Sequence, residues 1–336
     1  MDNEKAWLVR RVVLSVLFLV VIAVPVYPEL FGLAEVTPFA QLVAFRPQGL
    51  VLVLVLGLVM LVRRGWRIAA VLVLALALTG GALTMPRRLS DPDPPAAGTR
   101  ELTIMVANVL GGGADAGEVA ELIRQRKPDL VSLPEAQVDV REEIRLRLEG
   151  LQYSGFTQQP SKAVESATSV LVSSTLGAVR FDTDADTNAD TNADTNAGTE
   201  FGHVIVTGGN LGEVRLIAYH GFPPLPDAVP TWKQDLLVLR RWCAEDPPTI
   251  VAGDFNATLD HADFRHALGS SCRSVGPSVG GGLDGTWPSD RPAVARTQID
   301  HVVVTRTIQP GRFATYEIEG TDHRAVVATV AVPRPG

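Results

Sequence analysis

The sequence predicts a layered α/β domain carried behind an apolar N-terminal segment. Three observations lead there. The first ninety of 336 residues hold three long apolar spans. From about Arg100 onward, β-rich runs alternate with amphipathic helical runs, the pattern of a layered α/β core. Polar residues then recur at the ends of the expected strands, first of all in Thr249–Asn256 (TIVAGDFN), where Asp254 and Asn256 stand two apart after an apolar run. If both lie on a strand, they share one face.

The composition fits this division. It is 46% hydrophobic but only 6% aromatic, which for a chain of this length points to a membrane part. Residues 1–90 carry 9 Lys+Arg and 4 Asp+Glu, a sum of +5; the remainder carries 21 and 33, a sum of −12. A domain this acidic is poorly suited to a long polyanion, because such binding depends on Lys and Arg neutralising phosphates.

The apolar spans are Val12–Tyr27, Leu50–Val62 with a lead-in from Gln41, and Ile68–Leu83. A crossing helix needs about 20 mostly apolar residues, and the first and third reach that with their flanks. The second contains Arg46 and Pro47, so its core is shorter. A cleaved signal peptide is the alternative for the first span, but Pro25-Val26-Tyr27-Pro28 follows it instead of a small-residue cleavage site. Lys5, Arg10 and Arg11 precede span one, and Arg63, Arg64 and Arg67 follow span two. That distribution places the N-terminus inside and everything after the third span outside, with Arg87 and Arg88 weighing the other way. The expected organisation is a three-helix membrane anchor over 1–89, a proline-rich linker over 90–99 (SDPDPPAAG within it), and a soluble domain over 100–333.

Within that domain Glu101–Val109 reads as a strand ending at Asn108, before three glycines. Asp115, with Glu118 three residues on, forms a capping-box pattern for a helix reaching Lys127. Leu130–Leu133 is a short strand followed by Glu135, and a helix over Val138–Leu148 comes next. Ala167–Ser173 and Phe201–Thr207 read as strands that flank a low-complexity insert over 182–199, built on an Ala-Asp-Thr-Asn unit and expected to be a disordered surface loop within a hairpin. Val214–Tyr219 is a strand ending at His220. Thr231 opens a helix over Trp232–Cys243, and a short helix spans His261–Leu268. The glycine-rich Gly280–Pro288 carries Trp287 as a candidate substrate rim. Gln298–Thr305 holds Asp300 and His301 in a strand, His301 being equally readable as a buried structural residue. Asp322 and His323 lead into the last strand, Ala325–Val332; a carboxylate beside an imidazole at a strand entrance suits acid–base work. Cys243 and Cys272 are the two cysteines; a disulfide and two unrelated thiols are both open readings.

Taken singly, each of these polar residues also fits a turn or cap. Taken in order, Asn108, Glu135 in LPEA, His220 in YHG, Asp254 and Asn256 in GDFN, Asp300 in QIDH, and Asp322 and His323 in TDHR resemble the endonuclease/exonuclease/phosphatase superfamily, the deoxyribonuclease-I-like fold. The resemblance covers about Leu102–Val332. With its anchor the chain looks like the membrane-bound actinobacterial branch that includes glycopeptide-resistance proteins of the VanJ type. The resemblance implies a four-layer sandwich of two mixed β-sheets flanked by helices, with the site at their shared edge. It implies that Glu135 is the principal Mg²⁺ ligand (Mn²⁺ being the other candidate), with Asn108 beside it and Asp322 completing the metal site. Asp254 would orient or deprotonate the attacking water, and Asn256 would hold a phosphate oxygen. His323, steered by Asp300, would donate to the phosphoryl group, and His220 would be a second donor. Three positions depart from the pattern: Leu110 where a second Asn or Asp is frequent, Pro134 where Gln commonly precedes the glutamate, and Thr321 for Ser. The expected function is a metal-dependent phosphoesterase held at the outer face of the cell membrane. Its expected partners are the bilayer and a phosphorylated small-molecule or lipid substrate, with no protein partner. The competing readings are an extracellular nuclease, disfavoured by charge, and an inactive ligand-binding domain.

Overall fold

A computed structural model describes residues 2–183, 199–243 and 246–334. It divides into two compact units, one essentially the first 86 residues and one holding the α/β domain.

The N-terminal unit contains helices α1 (Asp2–Val26), α2 (Phe39–Leu42), α3 (Arg46–Leu61) and α4 (Arg67–Thr84). Among the described residues three stretches are long and apolar enough to cross a membrane: Val9–Val26, Phe39–Leu61 and Arg64–Leu89. The second reaches crossing length because α2 and a 3-10 turn run straight into α3, so Arg46 and Pro47 do not end it. Arg46 is buried and fully engaged: Nε donates to the Val26 carbonyl at 2.8 Å, and Nη2 lies 2.7 Å from both oxygens of Glu29. A buried guanidinium is tolerated when it is paired in this bidentate way.

The second unit opens with α5 (Pro86–Leu89) and contains two six-stranded mixed sheets. The first sheet uses β1 (Thr99–Val106), β2 (Leu130–Pro134), β3 (Tyr153–Gln158), β4 (Thr168–Ser173), β11 (Gln309–Tyr316) and β12 (Ala325–Pro333), in the order β11-β12-β1-β2-β4-β3. The second uses β5 (Val179–Asp182), β6 (His203–Gly208), β7 (Arg215–His220), β8 (Thr249–Asp254), β9 (Cys272–Ser274) and β10 (Asp300–Thr305), in the order β5-β6-β7-β8-β10-β9. Alternate residues of both sheets, among them Ile104, Val106, Ala328 and Val330 from the first and Leu216, Ala218, Ile250 and Val302 from the second, form one buried core. Helices α6 (Ala116–Arg126) and α7 (Val138–Leu146) cover the outer face of the first sheet through Val119, Ile123 and Ile144. On the second sheet, α8 (Val229–Leu236), α9 (Val238–Trp242) and α10 (Ala262–Leu268) bring Trp242 and Phe264 against Tyr219 and Phe255; α11 (Val275–Ser278) follows β9. This is the expected sandwich of two mixed sheets between helices. Gly253 fits where no other residue would, because β7 runs so close that a Cβ would strike the Tyr219 carbonyl.

Several local expectations change. Four strands were not anticipated, β3, β5, β9 and β11, and all four are sheet edges. The insert therefore follows β5, whose Asp182 pairs with Ile205 of β6, and not the strand ending at Ser173. Its Asp-Thr-Asn-Ala repeat lies outside the described residues. The expected helix Trp232–Cys243 is two helices, and the first begins before Thr231 because Pro230 occupies its first turn, where a missing N–H costs nothing. Asp115 caps α6 by accepting from Glu118 N at 2.8 Å, but the return half of the box is absent: Glu118 accepts from Glu319 N instead. Cys243 and Cys272 form a disulfide joining the end of α9 to β9. Closing a loop of this length is worth about 3–4 kcal/mol on the chain-entropy account.

His301 faces away from the strand-end cluster. Its Nε2 is 2.9 Å from the Ala257 carbonyl and its Nδ1 is 3.1 Å from Ser274 Oγ, between Phe255 and Phe264. Burial depresses its pKa from 6.5 to about 4. The unfolded chain therefore takes up a proton that the native imidazole refuses, so stability is intact above pH 6.5 and falls as pH drops toward 4. Between pH 7 and pH 5 this one group removes about 2 kcal/mol. Denaturation of wild type and His301→Asn at both pH values should show the smaller pH dependence in the variant; an equal dependence would refute the assignment.

Candidate active site

The cluster is built by strand register. In the second sheet His220 pairs with Asp254 in the parallel β7–β8 ladder, and Asp254 pairs with Asp300 in the antiparallel β8–β10 ladder. One row across the sheet edge is thus His220, Asp254, Asp300, all buried. The first sheet contributes from the matching edge: Asn108 just beyond β1, Glu135 just beyond β2, and Asp322 and His323 just before β12.

The two edges meet through short contacts. His323 Nδ1 lies 2.9 Å from Asp300 Oδ2, and His323 Nε2 lies 3.7 Å from Asp254 Oδ2 and 3.8 Å from Asp322 Oδ1. His220 Nε2 is 3.8 Å from Asp254 Oδ2. Asn108 Nδ2 donates to Glu135 Oε1 at 3.0 Å and to Asp254 Oδ2 at 3.1 Å, bridging the sheets. Glu135 is half-buried and has φ of +61°, a conformation that costs a non-glycine residue energy and is held here by its N–H donating to Ala167 O.

These contacts order the proton affinities. Burial alone would lower the His323 pKa, but Asp300 and then Asp254 outweigh it and raise it to about 10, so the ring is an imidazolium at neutral pH. His220 is depressed to about 3 by burial and by the positive His323, so it stays neutral. Burial, reinforced by Asp300 and opposed by His323, raises Asp254 well above the ordinary carboxylate range. Burial also raises Glu135, against its hydrogen bond from Asn108. Groups separated in this way can act as distinct donor and acceptor.

A metal fits the oxygen-rich side. Asp254, Asp300 and His323 place ligand atoms within 4.8 Å of one another. His323 is committed by its bond to Asp300, and as a cation it offers no lone pair. The carboxylates are better placed: Asp322 Oδ1 and Asp300 Oδ1 are buried without a hydrogen-bond partner, as an oxygen intended for a cation would be. Glu135 and Asp322 offer the hard carboxylate oxygens that Mg²⁺ or Mn²⁺ prefers.

Residues 105–323 match the sequence profile of the endonuclease/exonuclease/phosphatase family. The chain belongs to this family. Among solved structures it is similar to TDP2 from D. rerio humanized by 14 mutations, at 18% identity over 68% of this chain and 98% of that one, TM-score 0.53. It is also similar to TDP2 from C. elegans, at 16% identity over 84% and 92%, TM-score 0.51. At these identities the likeness is one of fold. No curated protein matches the chain.

Members of the endonuclease/exonuclease/phosphatase family are generally metal-dependent phosphoesterases or nucleases. Here all eight singled-out residues lie at one edge of the sandwich, but two of them, Asn256 and Asn108, differ in detail from the sequence reading, as does Trp287 beside them. Asn256 does not share a strand face with Asp254. The strand ends at Asp254 and Asn256 takes φ of +48°, a conformation asparagine tolerates; its N–H donates to Asp254 Oδ1 at 2.8 Å and its Nδ2 to Gly221 O at 2.9 Å. Asn108 presents its amide nitrogen to the carboxylates, while its oxygen accepts from Leu110 N at 3.0 Å; binding an ion through that oxygen requires the amide to turn. Trp287 is more than a rim, since its Nε1 donates to Asp322 Oδ2 at 2.9 Å.

The departures from the family pattern become legible here. Leu110 contributes its backbone N–H to Asn108 in place of a polar side chain. Thr321 Oγ1 donates to Asn108 O at 2.9 Å and accepts from His323 N at 3.2 Å. Thr286, which sequence reading missed, accepts from both Ile299 N and Asp300 N and so fixes the start of β10. No sequence signal distinguished it from any other loop threonine.

A cation bound to this oxygen set should stabilise the fold. Saturating Mg²⁺ is expected to raise the thermal midpoint of the full chain by about 2–4 °C, and Glu135→Ala should abolish most of that rise. Equal shifts in the two proteins would remove Glu135 from the metal site.

Proposed function

We propose that the chain is a membrane-tethered, divalent-metal-dependent phosphoesterase acting at the outer membrane face on a lipid-linked phosphate or pyrophosphate, or on a phospholipid. The observation that carries this reading is the convergence of His323, Asp254 and Asp300 at one edge of the sandwich, with His323 Nδ1 2.9 Å from Asp300 Oδ2 and His323 Nε2 3.7 Å from Asp254 Oδ2. A bound divalent ion would offset negative charge on the phosphoryl oxygens; Glu135 and Asp322 would hold it. Asp254, fixed by Asn256 N–H and Asn108 Nδ2, takes a proton from the attacking water. His323, oriented by Asp300, points its Nε2–H at the phosphoryl oxygen that gains charge in the transition state. Neutral His220 donates to phosphate or leaving group, and the second amide hydrogen of Asn256 serves a phosphate oxygen.

The lipid part of the reading draws on the three apolar stretches that precede the domain. Its outward placement draws on the arginines flanking those stretches and on the disulfide, which is stable in an oxidising compartment. Nucleic acid is disfavoured by the −12 sum over residues 91–336.

The decisive assay is phosphate release from a lipid phosphate by the purified full chain with Mg²⁺, run beside DNA cleavage. Lipid turnover without DNA cleavage supports the proposal, and the reverse overturns it. Asp254→Ala and His323→Ala should each lower turnover by at least about a hundredfold; a near-normal rate removes that residue from the mechanism. A reporter active only outside the cytoplasm, fused after Gly98, should be active; a silent fusion reverses the orientation.

A further inference from the structure

We propose that Phe201 and Phe222 form an aromatic wall beside His220 that receives the apolar chain of the substrate, and that the buried Asp235 is the positioning residue that holds this wall in place. The inference rests on the phosphoesterase reading and specifies what the phosphate is attached to. The Phe201 ring centroid lies 4.7 Å from the His220 ring and 5.2 Å from that of Phe222. Both phenylalanines are half-buried, and the segment after Phe222 continues with Leu225, which is 49% exposed. The groups already described on the other sides of the site, Asn108, Glu135 and Asp322, are polar. A sugar would meet hydrocarbon on the His220 side, where it needs hydrogen-bond partners. A lipid chain meets a surface that it can dehydrate, each buried methylene giving about a fourfold gain in affinity.

Asp235 explains why the wall stands where it does. It is buried on α8, outside the metal-binding cluster. Its Oδ2 accepts from Tyr219 OH at 2.5 Å and from Phe222 N at 3.0 Å, and its Oδ1 accepts from Glu200 N at 2.8 Å. Tyr219 directly precedes His220, Glu200 directly precedes Phe201, and Phe222 is the wall itself. One carboxylate thus pins a strand end and two loops, each at the residue that carries or adjoins a member of the Phe201–His220–Phe222 trio. A carboxylate can accept from all three donors, whereas an amide presents a hydrogen to one of them.

The test compares octyl phosphate with ethyl phosphate, in binding and hydrolysis, on the full chain in lipid nanodiscs with Mg²⁺. Wild type should bind octyl phosphate at least tenfold more tightly. Phe201→Ala, Phe222→Ala and Asp235→Asn should each bring the octyl-to-ethyl ratio to within about threefold of unity, whatever happens to absolute rates. A general loss of structure lowers both ligands alike and leaves the ratio in place, so the ratio reports positioning. The two phenylalanine truncations keep the test decisive if Asp235→Asn does not fold. Equal affinity in wild type, no binding of either ligand, or a chain-length preference that survives both truncations overturns the wall. If wild type prefers octyl phosphate, loses the preference on truncation and hydrolyses neither ligand, the wall stands and the phosphoesterase reading falls.

Discussion

Two carboxylates, Asp254 and Asp300, face each other across neighbouring antiparallel strands, both buried. Like charges directly opposite on a sheet repel, and burial makes each costlier still. What makes the pair tolerable is His323, brought in from the other sheet with its Nδ1 on Asp300 and its Nε2 toward Asp254. The chemistry and the fold are therefore one constraint. Separating the sheets at this edge would leave two buried acids without their cation, and removing the cation would push the acids to take up protons. The surrounding hydrogen bonds serve that balance: Thr286 fixes the backbone at Asp300, Thr321 ties His323 to the Asn108 segment, and Asn108 links Glu135 to Asp254.

The same arrangement explains which parts of the molecule were readable in advance. Central strands such as β2, β8, β10 and β12 are buried on both faces, so their apolar runs announce themselves. The unanticipated strands β3, β5, β9 and β11 are edges, with polar and glycine positions such as Gly155, Arg180 and Gly311 that look like loop. Their pairing comes from the neighbour and not from their own pattern. The second apolar stretch was similarly obscured, since Arg46 reads as a break until its pairing with Glu29 is seen.

At the site, residue identity was legible and geometry was not. Asp254, Asp300 and His323 could be picked out because strand ends carried the right functional groups in the right order. Spacing could not show that Asn256 leaves the strand for a left-handed turn, or that Asn108 faces the carboxylates with its nitrogen. Asp235 gave no signal either. An acid inside an amphipathic helix reads as a solvated residue, and its three partners lie 13 to 35 positions away. The buried anchor of the aromatic wall emerges only from tertiary structure.

The most direct test of this balance is the charge of His323 itself. Nitrogen-15 spectra of histidine-labelled full chain in detergent, with the His323 resonance assigned by its loss in His323→Gln, report whether that ring is an imidazolium. His323 is expected to remain protonated at pH 8 in wild type and to lose that proton at a lower pH in Asp300→Asn. A wild-type ring already neutral at pH 8 would contradict the account.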